Sequence, residues 1–173
     1  MPPPPDGLLP VDAETALAGS PPGHKDELRL WLRLLTCTTL VEAEIRRRLR
    51  REFDTTLPRF DLLAQLERAP AAGLTLGEVS RRMMVSNGNV TGLAARLEEE
   101  GLVERRVSRT DRRFQVLRLT PRGRREFVRQ SAAHEGWIAE LLGGLSERER
   151  AALHGLLGRA KASVRAGLRE VEA

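Results

Sequence analysis

Between Thr75 and Gly123 the chain changes its pattern four times, and each change carries its own boundary signal. Thr75-Leu76-Gly77-Glu78 is a capping box, in which the Thr75 hydroxyl accepts from the Glu78 amide while the Glu78 carboxylate reaches back. A short helix starts there, with Leu76, Val79 and Met83 on its inward face. Ser86 caps a second helix, with Val90, Leu93, Ala94 and Leu97 inward, and Gly101 supplies the left-handed residue that ends it, with Leu102 packing back. Leu102 to Val107 and Phe114 to Leu119 are short β-compatible runs around a polar tip, Ser108 to Arg113, and predict a hairpin. Thr120-Pro121 then pairs an N-cap with a proline at the first helical position. Helix, turn, helix and hairpin in this order restrict the chain to few folds.

The flanks are helical. From Leu28 to Phe53, apolar residues at Leu28, Trp31, Leu32, Leu35, Val41, Ile45, Leu49 and Phe53 keep the spacing of one helix face. Pro58 opens a second helix with Phe60, Leu63 and Leu66 on one side, before Pro70 and Gly73 interrupt it. The helix after Thr120 extends to about Leu142 and stops at Gly143-Gly144. Ser146-x-x-Glu149 repeats the capping box and opens a last helix to about Glu170. Met1 to His24 holds seven of the ten prolines, three acids and no lysine or arginine. It reads as a flexible arm. The fold class is mainly α with a small β-hairpin wing, a winged helix-turn-helix between N- and C-terminal dimerisation helices. The expected segments are an arm over 1–24, a dimerisation helix over 25–57, a DNA-binding lobe over 58–123 and dimerisation helices over 124–173.

Charge points to the partner. The whole chain carries +5, yet Arg105 to Arg125 alone contains nine arginines against one acid, Asp111. Cations massed on one segment suit a polyanion, since each one set against a phosphate releases counterions. The plainer reading is a solvated arginine-rich surface. A helix is narrow enough to enter the major groove of duplex DNA, and the second helix of the motif offers Ser86, Asn87, Asn89, Thr91, Gly92 and Arg96 near its exposed side. Arg109, Arg112 and Arg113 at the hairpin tip would lie on the flanking minor groove or backbone.

The residues that carry this reading also resemble a known family. Asn89-Val90-Thr91-Gly92-Leu93-Ala94-Ala95-Arg96-Leu97-Glu98, then Gly101-Leu102-Val103, Asp111-Arg112-Arg113 and Leu119-Thr120-Pro121-x-Gly123, look like the MarR family, over roughly Leu28 to Glu170. The resemblance implies a winged-helix homodimer with intertwined terminal helices, a ligand cleft between the dimer region and the DNA lobe, and wing contacts from Arg109, Asp111, Arg112 and Arg113. Many relatives have a larger, often basic residue at the position of Gly92, so base preference does not carry over.

The segment from Leu30 to Gln65 is similar to the MarR branch that senses aromatic acids or their coenzyme A thioesters. Trp31, Leu35 and Thr38 give an apolar face with a polar handle; Phe60 and Arg46 complete the expected ligand set. The alternative is ordinary core packing, with the Thr38 hydroxyl bonded to its own helix and the arginines around Arg46 a solvated face.

Other functions lack their residues. A lone cysteine forms no internal disulfide, and Cys37, three residues from Leu34 and four from Val41, is expected to be a buried structural thiol. His24, His134 and His154 are scattered without metal-site spacing, and no nucleotide-binding or nucleophile-elbow motif is present. No catalytic residue, metal or cofactor is therefore expected. Absence of a secretory signal and of a long apolar run points to a cytoplasmic protein without membrane contact. The expected partners are double-stranded DNA, a second copy of the chain, and a small-molecule inducer, an aromatic acid or acyl-coenzyme A thioester. The competing class is a helical dimerising adaptor whose winged region binds protein.

Overall fold

A computed structural model of the chain describes residues 26–107 and 115–171. Its elements run α1 (Asp26–Phe53), α2 (Leu57–Glu67), β1 (Leu74–Thr75), α3 (Leu76–Met83), α4 (Asn87–Glu99), β2 (Val103–Val107), β3 (Gln115–Leu119), α5 (Pro121–Leu141) and α6 (Glu147–Val171). The chain divides into two compact units at His134/Glu135.

The first unit is built around α2. Phe60, Leu62, Leu63, Ala64 and Leu66 are all buried, a wider apolar surface than the single face of Phe60, Leu63 and Leu66 read from the sequence. The reason is that α2 meets α1, α3, α4 and β3 at once, so few of its positions reach water. Leu49 from α1, Val79 from α3, Val90 and Leu97 from α4, Val103 and Leu117 from the sheet close the core around it. Each such side chain contributes about 1.5–3 kcal/mol relative to exposure. Phe60 stacks on Phe127 of α5 with ring centroids 5.7 Å apart.

The sheet has three strands in the order β1-β3-β2, all antiparallel. The hairpin is as expected, with Val103 opposite Leu119 and Val107 opposite Gln115. The sequence reading has no β1. At two residues it is too short to show alternation, and it exists because Leu74 and Thr75 pair with Leu117 and Val116. Gly73, at φ +91°, lets the chain approach β3; a Cβ there would lie 2.6 Å from the Leu117 carbonyl oxygen.

Both capping boxes form. The Glu78 amide donates to Thr75 Oγ1 at 3.3 Å and the Thr75 amide to Glu78 Oε2 at 2.7 Å. Ser146 and Glu149 repeat this at the start of α6, with distances of 2.7 and 3.3 Å. The end of α4 is a Schellman motif: the Leu102 amide donates to the Leu97 carbonyl and the Gly101 amide to the Glu98 carbonyl, both at 2.9 Å. In the second unit Trp137 is buried, while Leu153, Leu156, Leu157, Val164 and Leu168 leave an exposed apolar stripe along α6. Among the described residues no helix is long and apolar enough to cross a membrane.

Cys37 is a correction. It is exposed in the chain, in a stretch of α1 where Thr38, Thr39 and Leu40 are exposed as well.

Candidate nucleic-acid interface

The turn between α3 and α4 is set by side chains and one strained residue. The Ser80 hydroxyl donates to the Val85 carbonyl at 2.5 Å, and the Val85 amide donates to the Ser80 carbonyl at 3.2 Å. Between them Met84 takes the left-handed conformation, φ 56°, and is 91% exposed. A side chain there costs about 1–2 kcal/mol relative to glycine. Nothing in the sequence marks it, since glycine or asparagine is the usual residue.

After the turn the Asn89 amide donates to Ser86 Oγ at 3.5 Å, a long cap that starts α4. Val90, Ala94 and Leu97 fix the inward face. The opposite side presents Asn87, Asn89, Thr91, Gly92 and Arg96, all exposed. Exposed with them is the Ser86 cap, but the set falls on two flanks of α4, Asn87 and Thr91 one turn apart on one and Asn89, Gly92 and Arg96 on the other. The Thr91 hydroxyl, however, donates to the Asn87 carbonyl at 2.9 Å, so its proton is committed to its own helix. Asn89, Gly92 and Arg96 follow one another along the helix and line a groove of about 420 Å³ with Pro58, Met83 and Val85. A Cβ at Gly88 or Gly92 would meet nothing within 4 Å. The surface is therefore smooth enough for close approach.

The C-terminal end of α4 is tied down. Arg59 of α2 holds the Glu100 carboxylate through both terminal nitrogens, the Nη1–Oε1 distance being 2.7 Å. That guanidinium keeps the Glu100 carboxyl below the usual range. Arg122 Nη1 donates to the Glu100 backbone carbonyl at 2.9 Å, and Arg105 Nε to Glu98 Oε2 at 2.8 Å.

These contacts divide the arginine-rich segment. Arg105 pairs with Glu98, Arg106 with Glu104, Arg124 with Glu67, and Arg122 caps a helix end. Four of the nine arginines are thus neutralised or used inside the fold, and the count of charges overstates what faces a polyanion. Arg109, Asp111, Arg112 and Arg113 lie outside the described residues. Arg81 and Arg82, which the sequence reading did not single out, are exposed in the last turn of α3, with Met83 between them and the strained Met84.

Of the expected ligand residues, Trp31, Leu35, Thr38 and Arg46 lie on the surface of α1 and Phe60 lies in the core. Trp31 is 57% and Leu35 44% exposed. The Thr38 hydroxyl lies 2.9 Å from the carbonyls of both Leu34 and Leu35, the self-bonded arrangement held open as the alternative. Arg46 pairs with Glu42, and Phe60 sits in the core between Phe127 and His134.

The comparisons agree with this geometry. The MarR family model matches residues 53–113. The transcriptional activatory protein BadR of Rhodopseudomonas palustris is 32% identical over 120 residues, 68% of each chain. The crystal structure of a MarR family transcriptional regulator from Silicibacter pomeroyi is 33% identical, with a TM-score of 0.70 over 83% of this chain and 99% of that one. The apo form of Escherichia coli MarR is 25% identical, with a TM-score of 0.65 over 74% of this chain and 94% of that one. The helix-turn-helix, the sheet that carries the wing and the flanking helices are thus those of a transcriptional regulator, and the chain belongs to the MarR family.

Proposed function

We propose that the chain binds duplex DNA as a homodimer, laying α4 of each copy in successive major grooves of a pseudo-palindromic operator about 34 Å apart. The observation that carries this is the outward surface of α4, where amide side chains and Arg96 stand beside two glycines whose Cβ positions are open. Asn89 reads a base edge, Asn87 and the Ser86 cap approach the backbone, and Arg109, Asp111, Arg112 and Arg113 make the wing contacts, the arginines supplying phosphate affinity. The apolar stripe of α6 and the exposed Leu28, Trp31 and Leu35 of α1 suit a second copy, since apolar patches of that extent are rarely left to water.

The test is a duplex titration at several salt concentrations. Arg112→Ala weakens binding to every duplex and reduces the salt slope, whereas Asn89→Ala changes base preference. Unchanged affinity in both variants would remove the DNA reading and leave the adaptor class.

Occupation of the operator represses in this account, and an aromatic acid or its coenzyme A thioester releases the protein. Trp31 and Leu35 provide the exposed apolar contact for it where the second copy meets α1, Thr38 the adjoining turn, and Arg46 the cation, while Phe60, buried in the core, supports α2 from behind. The inducer favours a dimer geometry with the wrong helix separation, and by linkage DNA weakens inducer binding by the same factor. If saturating aromatic acids and acyl-coenzyme A thioesters leave operator affinity unchanged, this inducer class is ruled out. BadR, by its name, activates, which favours the opposite sign of regulation; a reporter carrying the operator over or upstream of a promoter decides between them.

A further inference from the structure

Among the described residues two non-glycine residues take positive φ, Asp54 at 48° and Met84 at 56°. Aspartate visits that region readily, because its short polar side chain bonds locally; a methionine side chain has no such return. Burial does not offset the strain at Met84 either, since the residue is almost fully exposed. Strain that nothing inside the fold compensates collects where a side chain is held out for a partner. The turn that holds it is rigid, closed by the two Ser80–Val85 hydrogen bonds. Val85 continues the apolar surface, and Met83 and Val85 line the same groove as Asn89 and Arg96. Arg81 and Arg82 stand exposed just before the turn. The acid next to them on α3, Glu78, keeps its carboxylate on the Thr75 amide and hydroxyl.

We infer that Met84 is a specificity-determining residue, whose thioether packs on the C5-methyl group of a thymine at the edge of the base pairs met by α4, so that each half-site carries a T·A pair there. An apolar tip set among the cations of Arg81, Arg82 and Arg96 decides the chemistry. Cations suit the phosphates of a duplex, and the thymine methyl is the apolar group that a base pair presents in the major groove. A phosphate alone would give the thioether nothing to touch, and an apolar protein surface would leave the three guanidinium groups unmatched. Methionine suits the contact, because its unbranched, polarisable side chain adapts to an irregular edge. Glycine, the usual residue at such a φ, would leave the methyl in water. The inference rests on the DNA reading of α4 and adds to it a base that no amide or guanidinium of that helix reads.

The test uses the full chain and an operator selected from random duplexes, in which each thymine is replaced in turn by deoxyuridine. That exchange removes the methyl and leaves every hydrogen-bonding group of the base pair in place. At one position of each half-site it should weaken binding about fourfold, the worth of one buried methyl group. Met84→Gly, which takes the same φ without strain, should bind the thymine and deoxyuridine duplexes alike, at the affinity of the unaltered chain for the deoxyuridine duplex. Met84→Ala, which keeps the strain and removes the thioether, should do the same. A tightly bound operator that tolerates deoxyuridine at every thymine, or a penalty that persists in both variants, would overturn the assignment and leave the reading of α4 standing. Failure of the unaltered chain to bind any duplex would overturn both, so binding of the unmodified operator tells the two failures apart.

Discussion

Gly123 of α5 lies so close to the main chain of Leu102 that a Cβ would sit 1.9 Å from the Leu102 carbonyl oxygen. Thr120 secures the approach: its hydroxyl donates to the Gly101 carbonyl at 2.7 Å and accepts from the Gly123 amide at 2.9 Å. The end of α4, the start of β2 and the start of α5 are thereby held in one register. Gly123→Ala must push backbone from backbone, and we expect it to cost about 3 kcal/mol or more. Urea denaturation measures this. A loss below 1 kcal/mol, on the scale of an ordinary surface substitution, would mean that the two segments part easily.

Met84 should respond in the opposite sense. Its φ of 56° is strained for any side chain, and at 91% exposed it has little packing to lose. Met84→Gly should stabilise the protein by about 0.5–1 kcal/mol once the greater freedom of unfolded glycine is deducted. A lower urea midpoint would contradict the assigned turn.

Acid should destabilise the fold through specific carboxylates. Hydrogen bonds from Arg47 and Arg48 hold the Glu44 carboxyl at about 2, against 4.5 ordinarily. Its pairing thus stabilises the fold fully above 4.5 and is lost as the pH falls from there to 2, where the unfolded chain binds the extra proton. Glu100, held down by Arg59, and Glu78, held down by the Thr75 amide, act in the same sense. Asp61, raised by burial, opposes them. The urea midpoint should therefore drop below a pH of about 4.5, and Glu44→Gln should flatten part of that drop. An identical pH profile in Glu44→Gln would refute the assignment.

Two arginines separate scaffold from interface. Arg105→Ala breaks the pair with Glu98 and should lower stability by about 0.5–1 kcal/mol, leaving the salt dependence of duplex binding nearly intact. Arg96→Ala should do the reverse, reducing the slope of log K against log salt by about one while the urea midpoint stays put. Exchange of the two phenotypes would show that the interface has been assigned to the wrong arginine.

Much of this was legible because capping chemistry is local. Thr75 with Glu78, Ser146 with Glu149, and Thr120-Pro121-x-Gly123 specify helix starts within four residues, so no tertiary information was needed to place α3, α5 and α6. Pairings over long separations were not legible. Arg105 and Arg106 look alike in the chain, yet one holds Glu98 on α4 and the other Glu104 on its own strand, and only the fold distinguishes them. β1 was missed for the same reason, because its two residues are a strand only by virtue of β3. The periodicity of α1 marks an apolar face but not what covers it. Cys37 therefore proved exposed where burial had been read.

The most direct measurement is methylation protection of guanine N7, which lies in the major groove, on an operator selected from random duplexes. With α4 of each copy in its groove, protection should appear in two patches about one helical turn, 10–10.5 base pairs, apart, and Asn89→Ala should remove part of each patch. A bound complex with no N7 protected, or with a single patch unaffected by Asn89→Ala, would contradict the account.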